Sequence, residues 1–151
     1  MPESAFALSE FERGTPLADY AAELSTAQPD FSLLLNVVFT DPQAAAVGAV
    51  DARFTASAEI SGVARTATYT RAYAESNGFL TLLSDGQRLT GAYALGPEAG
   101  EWLQQATLAI RARVPLDVLR DVIQPFPTFS EIYVDALKAL RVETAAALET
   151  A

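Results

Sequence analysis

The 151 residues include no cysteine, no histidine and a single lysine, Lys138. Lack of cysteine excludes disulfide exchange, thiolate nucleophiles and Cys-ligated zinc or iron–sulfur centres. Lack of histidine removes the usual proton shuttle near neutral pH and the commonest transition-metal ligand, so a Ser-His-Asp triad is ruled out by composition and no metal site is expected. Long apolar runs are missing as well. No stretch approaches the roughly 18 apolar residues of a membrane span, and the start, Met1 to Gly14, is acidic where a secretory leader would be basic. Positive charge is scarce, with 10 Lys+Arg against 19 Asp+Glu, a net charge of -9 and a pI near 4.3. The arginines are scattered along the chain, from Arg53 and Arg65 to Arg111 and Arg113. Nucleic acid and anionic membrane surfaces would repel such a chain, so neither is expected as a partner, and the expected location is cytoplasmic.

What the chain does contain is apolar material, 50% of its residues. A single domain of this size can bury about 68 to 70% of the surface it exposes when unfolded, so one core forms without staples. Residues 1–32 read as an arm, helical or mobile, in which the first thirty residues carry six acids and one base. Two short helices are predicted there, over 3–12 and from Pro16 to about Ser25. From Leu33 the texture changes to short apolar runs separated by turn signals. Leu33 to Thr40 reads as a buried strand closed at Asp41-Pro42, since a residue before proline avoids helical angles. Further strands are predicted at about 63–72, 78–84 and 88–95. Asp85-Gly86 between the last two is a strong hairpin signal, because such turns favour positive φ.

After Gly96 the period switches from two to 3.6. Ala99, Trp102, Leu103, Ala106, Ala109 and Ile110 make one apolar face of a helix opened by Pro97-Glu98, with Arg111 and Arg113 at the end where the helix dipole favours cations. Pro115 stops it and starts a short helix over Leu116 to Val122. Pro125 and Pro127 forbid helix around Phe126. The last helix is predicted from Thr128, whose spacing to Glu131 matches a capping box. The domain spans 33–142, and 143–151 is expected to fray. Strands followed by helices is the pattern of an α+β fold, an antiparallel sheet with helices packed on one face.

Little chemistry is written in these segments. There is no Gly-rich phosphate loop; Gly91 to Gly96 lies on a predicted strand. Glu98 with Glu101, and Asp117 with Asp121, are carboxylate pairs on helix faces, but acids near helix starts ordinarily complement the dipole. Trp102, Phe126 and Phe129 would allow ligand stacking, although core and interface packing is the commoner use of such aromatics.

Four stretches in order carry a resemblance. They are Val37-Val38-Phe39-Thr40-Asp41-Pro42-Gln43 with Val47-Gly48; Gly78-Phe79; Leu89-Thr90-Gly91-Ala92 through Gly96-Pro97-Glu98-Ala99-Gly100-Glu101; and Pro127-Thr128-Phe129-Ser130-Glu131. With them, Leu35 to Leu140 resembles the C-terminal dimerisation (interface) domain of the FAD-dependent pyridine nucleotide-disulfide oxidoreductases, which include dihydrolipoamide dehydrogenase, glutathione reductase and mercuric reductase. The resemblance implies the fold of that domain, a homodimer, and FAD and NAD(P) in a parent or partner enzyme. It also implies a non-helical Phe126-Pro127 peptide, open to the cis form.

The departure is at Phe126. The family places a His there, oriented by the Glu at the position of Glu131, as acid/base for the redox thiols of the other subunit. Phenylalanine moves no proton, and a positioned general base contributes about 10² to 10⁴ in rate. No catalytic residue is therefore expected, and Glu131 falls back to the role of helix cap. Residues 1–32 match no part of the family, and no cofactor is expected to bind this chain by itself. The first functional expectation is a subunit-association module that pairs with itself through Phe126, Pro127, Thr128, Phe129, Glu131 and Tyr133. A second has Phe126 and Pro127 approach the flavin of a separate flavoprotein chain, and a third is a small-ligand-binding α+β domain.

Overall fold

The computed structural model describes residues 33–66 and 72–149. Contacts divide the chain into two units, Met1–Phe31 and Ser32–Ala151, and the described residues all belong to the second. The helices expected over 3–12 and 16–25 lie outside the described residues. Five strands, β1 (Asn36–Val38), β2 (Gln43–Gly48), β3 (Phe54–Glu59), β4 (Phe79–Ser84) and β5 (Leu89–Gly96), form one antiparallel sheet in the order β1-β2-β5-β4-β3. A short helix α1 (Gly62–Thr66) follows β3. After the sheet come α2 (Ala99–Trp102), α3 (Gln104–Arg111), α4 (Leu116–Arg120), a 3-10 turn (Phe129–Glu131) and α5 (Ile132–Glu149). The fold is α+β, as the order of apolar periods implied.

Alternation decides which side of the sheet is covered. Ala45, Ala94 and Leu80 stand side by side across β2, β5 and β4, and Val47, Ala92, Leu82 and Ala56 form the next row. All seven are buried in one core with the inner faces of α3 and α5. Small residues on the central strands let the helices come close: α3 lies over β5 and β2, and α5 over β3 and β4. Burying a leucine such as Leu80 or Leu82, each at 0% exposure, contributes about 1.5 to 3 kcal/mol, and most of the hydrophobic stabilisation is gathered on this one layer. Gly48 and Gly91 face each other where β2 and β5 pair. A Cβ at Gly91 would sit 2.2 Å from the Ala49 carbonyl oxygen, and Gly48 holds φ at 75°. Only glycine fits that approach.

Several expectations are corrected. The segment 33–40 is not a buried strand. Only Asn36–Val38 pairs, at the sheet edge with β2 as sole neighbour, and Leu34, Val38 and Phe39 are exposed. The predicted strand over 63–72 is helical where it is described, because Ser61 caps α1: its hydroxyl accepts from the Ala64 amide at 3.1 Å. Strands β2 and β3 were not anticipated. The hairpin stands, but Asp85 does not take positive φ; Gly86 does, at 103°. The Asp85 carboxylate instead closes a longer loop, accepting from the amides of Gln87 at 2.7 Å and Arg88 at 2.8 Å. The last helix runs on to Glu149, through most of the tail that was expected to fray.

The helix predicted after Gly96 is divided in two, and the cause is a side chain from α5. In an unbroken helix the amide of Ala106 would donate to the carbonyl of Trp102, four residues back. The Tyr133 hydroxyl stands between them, accepting from Ala106 N at 3.2 Å and donating to Trp102 O at 3.0 Å. Ala106 N also reaches Leu103 O at 3.0 Å, which tightens the turn between α2 and α3. A polar group inserted into the ladder is one of the identifiable causes of a helix break.

Candidate functional site: the Gln124–Glu131 loop

Between α4 and α5 the chain runs through Gln124-Pro125-Phe126-Pro127-Thr128, and the Phe126-Pro127 peptide is cis. The Thr128 hydroxyl donates to the Pro125 carbonyl at 2.6 Å and closes the loop on itself. Phe126 extends outward at 73% exposure. A large aromatic so exposed on a loop bracketed by two prolines costs little entropy to bury against a partner, since the loop is already shaped.

The other residues expected to line an interface are placed differently. Phe129 and Tyr133 are buried, so neither is offered to a partner as an anchor. Phe129 packs edge-on to Tyr73, with ring centroids 5.7 Å apart. Tyr133 is spent on the break between α2 and α3, and burial pushes its phenol well above its usual range. Pro127 and Thr128 are half-buried beside Phe126 in the loop. Trp102, too, is a core residue and no ligand platform: its indole N–H donates to the Pro97 carbonyl at 2.8 Å.

Glu131 is not a helix cap. Thr128 occupies the cap position of the 3-10 turn without any side-chain cap bond, its hydroxyl being used on Pro125. The Glu131 carboxyl turns inward, where Oε1 accepts a hydrogen bond from the Ser61 hydroxyl and Oε2 is buried without a partner. Ser61 thus holds two elements at once, capping α1 and gripping the 3-10 turn that leads into α5. No motif pointed to Ser61; its signal was a serine ahead of Gly62-Val63-Ala64, inside what read as the approach to a strand. Of the carboxylate pairs, Glu98 accepts from the Tyr73 hydroxyl at 3.0 Å, and this bond holds the Tyr73 phenol above its ordinary range. Asp117 flanks Arg120 on α4. Among the described residues no group of three or more carboxylates could hold a metal ion, and no helix is long and apolar enough to cross a membrane.

The site therefore consists of a shaped loop with one exposed ring, backed by a carboxyl engaged with serine. Phe126 carries no proton to pass, and the half-buried Glu131 is engaged with Ser61. Residues 35–137 match the family model described as the pyridine nucleotide-disulphide oxidoreductase dimerisation domain. A dihydrolipoyl dehydrogenase of Chlamydia muridarum is 31% identical over 117 residues, 71% of this chain and 24% of that protein. A mercuric reductase of Shewanella putrefaciens is 38% identical over 111 residues, 70% of this chain and 20% of that protein. The chain thus spans between a fifth and a quarter of the length of these relatives. Among solved structures, LpdA from Mycobacterium tuberculosis superposes with a TM-score of 0.56 at 18% identity, over 81% of this chain and 28% of that one. The HOCl-induced flavoprotein disulfide reductase RclA from Escherichia coli gives 0.56 at 19% identity, over 70% of this chain and 26% of that one. Both share its fold.

Proposed function

Given that the chain belongs to the pyridine nucleotide-disulphide oxidoreductase family, whose dimerisation domain it carries, we propose that it is a subunit-association module without catalysis of its own. It pairs with a second copy of itself through the Gln124–Thr128 loop. FAD and NAD(P) belong, on this reading, to a parent or partner enzyme, in a cytoplasmic setting. The observation that carries the reading is Phe126, exposed at 73% where the family resemblance implies a proton-shuttling His. An aromatic in that place can fill a pocket across a two-fold axis but cannot serve a thiol. Support comes also from Glu131, which hydrogen-bonds Ser61 and has no imidazole to orient.

Light scattering over a dilution series tests this. The expected result is a dimer whose dissociation constant rises about tenfold or more in Phe126→Asp, since aromatic anchors commonly carry 1 to 2 kcal/mol or more of an interface. A strict monomer at high micromolar concentration overturns the proposal.

A second reading is that the loop completes the flavin site of a separate flavoprotein chain, with Phe126 and Pro127 packed near the flavin. The outward ring of Phe126, exposed at 73%, favours it as much as it favours self-pairing. A complex of the chain with an FAD- and NAD(P)H-dependent reductase, isolated with its yellow absorption and lost in Phe126→Asp, would establish it.

A further inference from the structure

We propose that the groove between α4 and α5 is a docking site for an acidic amphipathic helix of another protein. The observations are separate from the exposed Phe126 ring, Gln124 being the one residue common to the loop and the groove. Leu119 and Leu137 form the floor of a cavity of about 230 Å³ whose rim is Arg120, Lys138 and Arg141, with Val122 and Val134 at its edges. Three of the ten basic residues of an acidic chain thus converge on one groove. Among the described residues neither Arg120 nor Arg141 is in an ion pair; only Lys138 is, exposed and 3.5 Å from Asp135. Partial burial, and then the neighbouring charge of Arg141, hold the Arg120 guanidinium below its ordinary range, and Asp117 only offsets this. Two like charges kept side by side over an apolar floor are stabilised by an incoming anion.

The size and shape select a helix over a small molecule. Small-ligand sites usually enclose about 300 to 1,000 Å³, and this groove is smaller. It is nevertheless continued by an exposed apolar rim, with Val118 at 51%, Val122 at 45%, Val134 at 38% and Val142 at 67% exposure. On α5, Val134, Leu137, Lys138, Arg141 and Val142 fall at i, i+3, i+4, i+7 and i+8, so apolar and cationic positions run together along about two turns. A helix lying in the groove would place one or two apolar anchors over Leu119 and Leu137 and its carboxylates on Arg120 and Arg141, the helix-in-groove mode of recognition. Gln124 lines the same cavity, and its amide nitrogen is buried without a hydrogen-bond partner. Turning that amide supplies one more donor.

The probe is a fluorescein-labelled peptide of repeat Leu-Glu-Glu-Leu-Ala-Glu-Glu, about three repeats long so that it can be helical. Its counterpart carries lysine for every glutamate. Binding to the full chain is read by anisotropy and mapped by amide chemical shifts. The acidic peptide is expected to bind, to shift residues 119–124 and 134–142, and to weaken about tenfold or more in R120Q/R141Q; the lysine peptide is expected not to bind. Rising salt should weaken the complex. Light scattering on R120Q/R141Q is expected to give the parent's oligomeric state, which separates this surface from the Phe126 loop. Shifts elsewhere, equal binding by the variant, or no binding at millimolar protein overturn the proposal. So does dodecanoate giving the same shifts at lower concentration, which would make the occupant a small carboxylate, or capture by phosphatidylglycerol vesicles without any peptide binding.

Discussion

Replacing Tyr133 by phenylalanine removes one oxygen from the centre of the molecule and nothing else. Tyr133 is 1% exposed, so no solvent stands ready to take the place of the hydroxyl. The amide of Ala106 keeps a bond to Leu103 O, but the Trp102 carbonyl loses the donor that faces it at 3.0 Å. A buried polar group left unsatisfied costs about 1 to 3 kcal/mol, and with one such acceptor the expected loss for Tyr133→Phe is about 2 kcal/mol. In urea that is a fall of about 1 M in midpoint at a typical slope, with the slope unchanged, or about 4 to 8 °C in melting temperature. The same residue sets an alkaline limit. Burial raises its folded-state pKa above the unfolded value near 10, so its contribution is complete below about pH 10 and is lost as pH rises beyond it. Tyr133→Phe should flatten that alkaline decline. A variant within about 0.5 kcal/mol of the parent would refute the reasoning: it would mean that the ladder bond from Ala106 to Trp102 re-forms and the break between α2 and α3 is set by something else.

Three further outcomes are expected. Gly91→Ala places a Cβ 2.2 Å from the Ala49 carbonyl oxygen and should cost about 3 kcal/mol or more, read as a large fall in melting temperature, because backbone on both sides must move. Ser61→Ala deprives α1 of its cap and the Glu131 carboxyl of its hydrogen bond from Ser61; about 1 to 3 kcal/mol should be lost in urea, with Ser61→Thr recovering most of it. The Asp85 carboxyl is held below its usual range by the Gln87 amide and then the Arg88 amide. Its contribution is present above about pH 4 and disappears as pH falls through the lower folded value, so acid titrations should differ in slope between the parent and Asp85→Asn, while Asp85→Ala should also lose about 1 kcal/mol at neutral pH.

How far the sequence foretold this can be followed through particular residues. The hairpin of β4 and β5 was legible because Phe79 to Ser84 is apolar, Leu89 to Gly96 alternates, and Asp85-Gly86 marks the turn. Strands β2 and β3 were not. Gln-Ala-Ala-Ala-Val-Gly has no distinct period, and Phe-Thr-Ala-Ser-Ala-Glu alternates but only with alanine, which has weak strand preference, on most of its apolar positions; they are strands because β5 and β4 pair with them. The capping box failed for a related reason. Thr128 and Glu131 have the right spacing, but Pro125 and Ser61, distant or unweighted in sequence, offer better partners for their oxygens. The prolines on either side of Phe126 place it outside any helix, whereas Phe129 and Tyr133 fall with Ile132, Ala136, Leu137 and Leu140 on the apolar face of the last helix, and that face is spent on the core rather than on an interface.

The residues that carry the family resemblance divide by what they do in the fold. Gly48 and Gly91 permit the close pairing of β2 and β5. Gln43 accepts from the Gly100 amide at 3.2 Å, tying the start of β2 to α2, and a Cβ at Gly100 would press on Val37 at 3.1 Å. The Thr40 hydroxyl donates to the Pro42 carbonyl at 2.8 Å and shapes the turn between β1 and β2. All of these are backbone constraints, and they are met whether or not any redox chemistry takes place. Fold and loop are therefore separable here: these residues shape the sheet and its junction with α2, while the 124–131 loop presents a phenyl ring at Phe126. Changing Phe126 alone should leave stability within about 0.5 kcal/mol, as befits an exposed side chain, and move only what the loop touches.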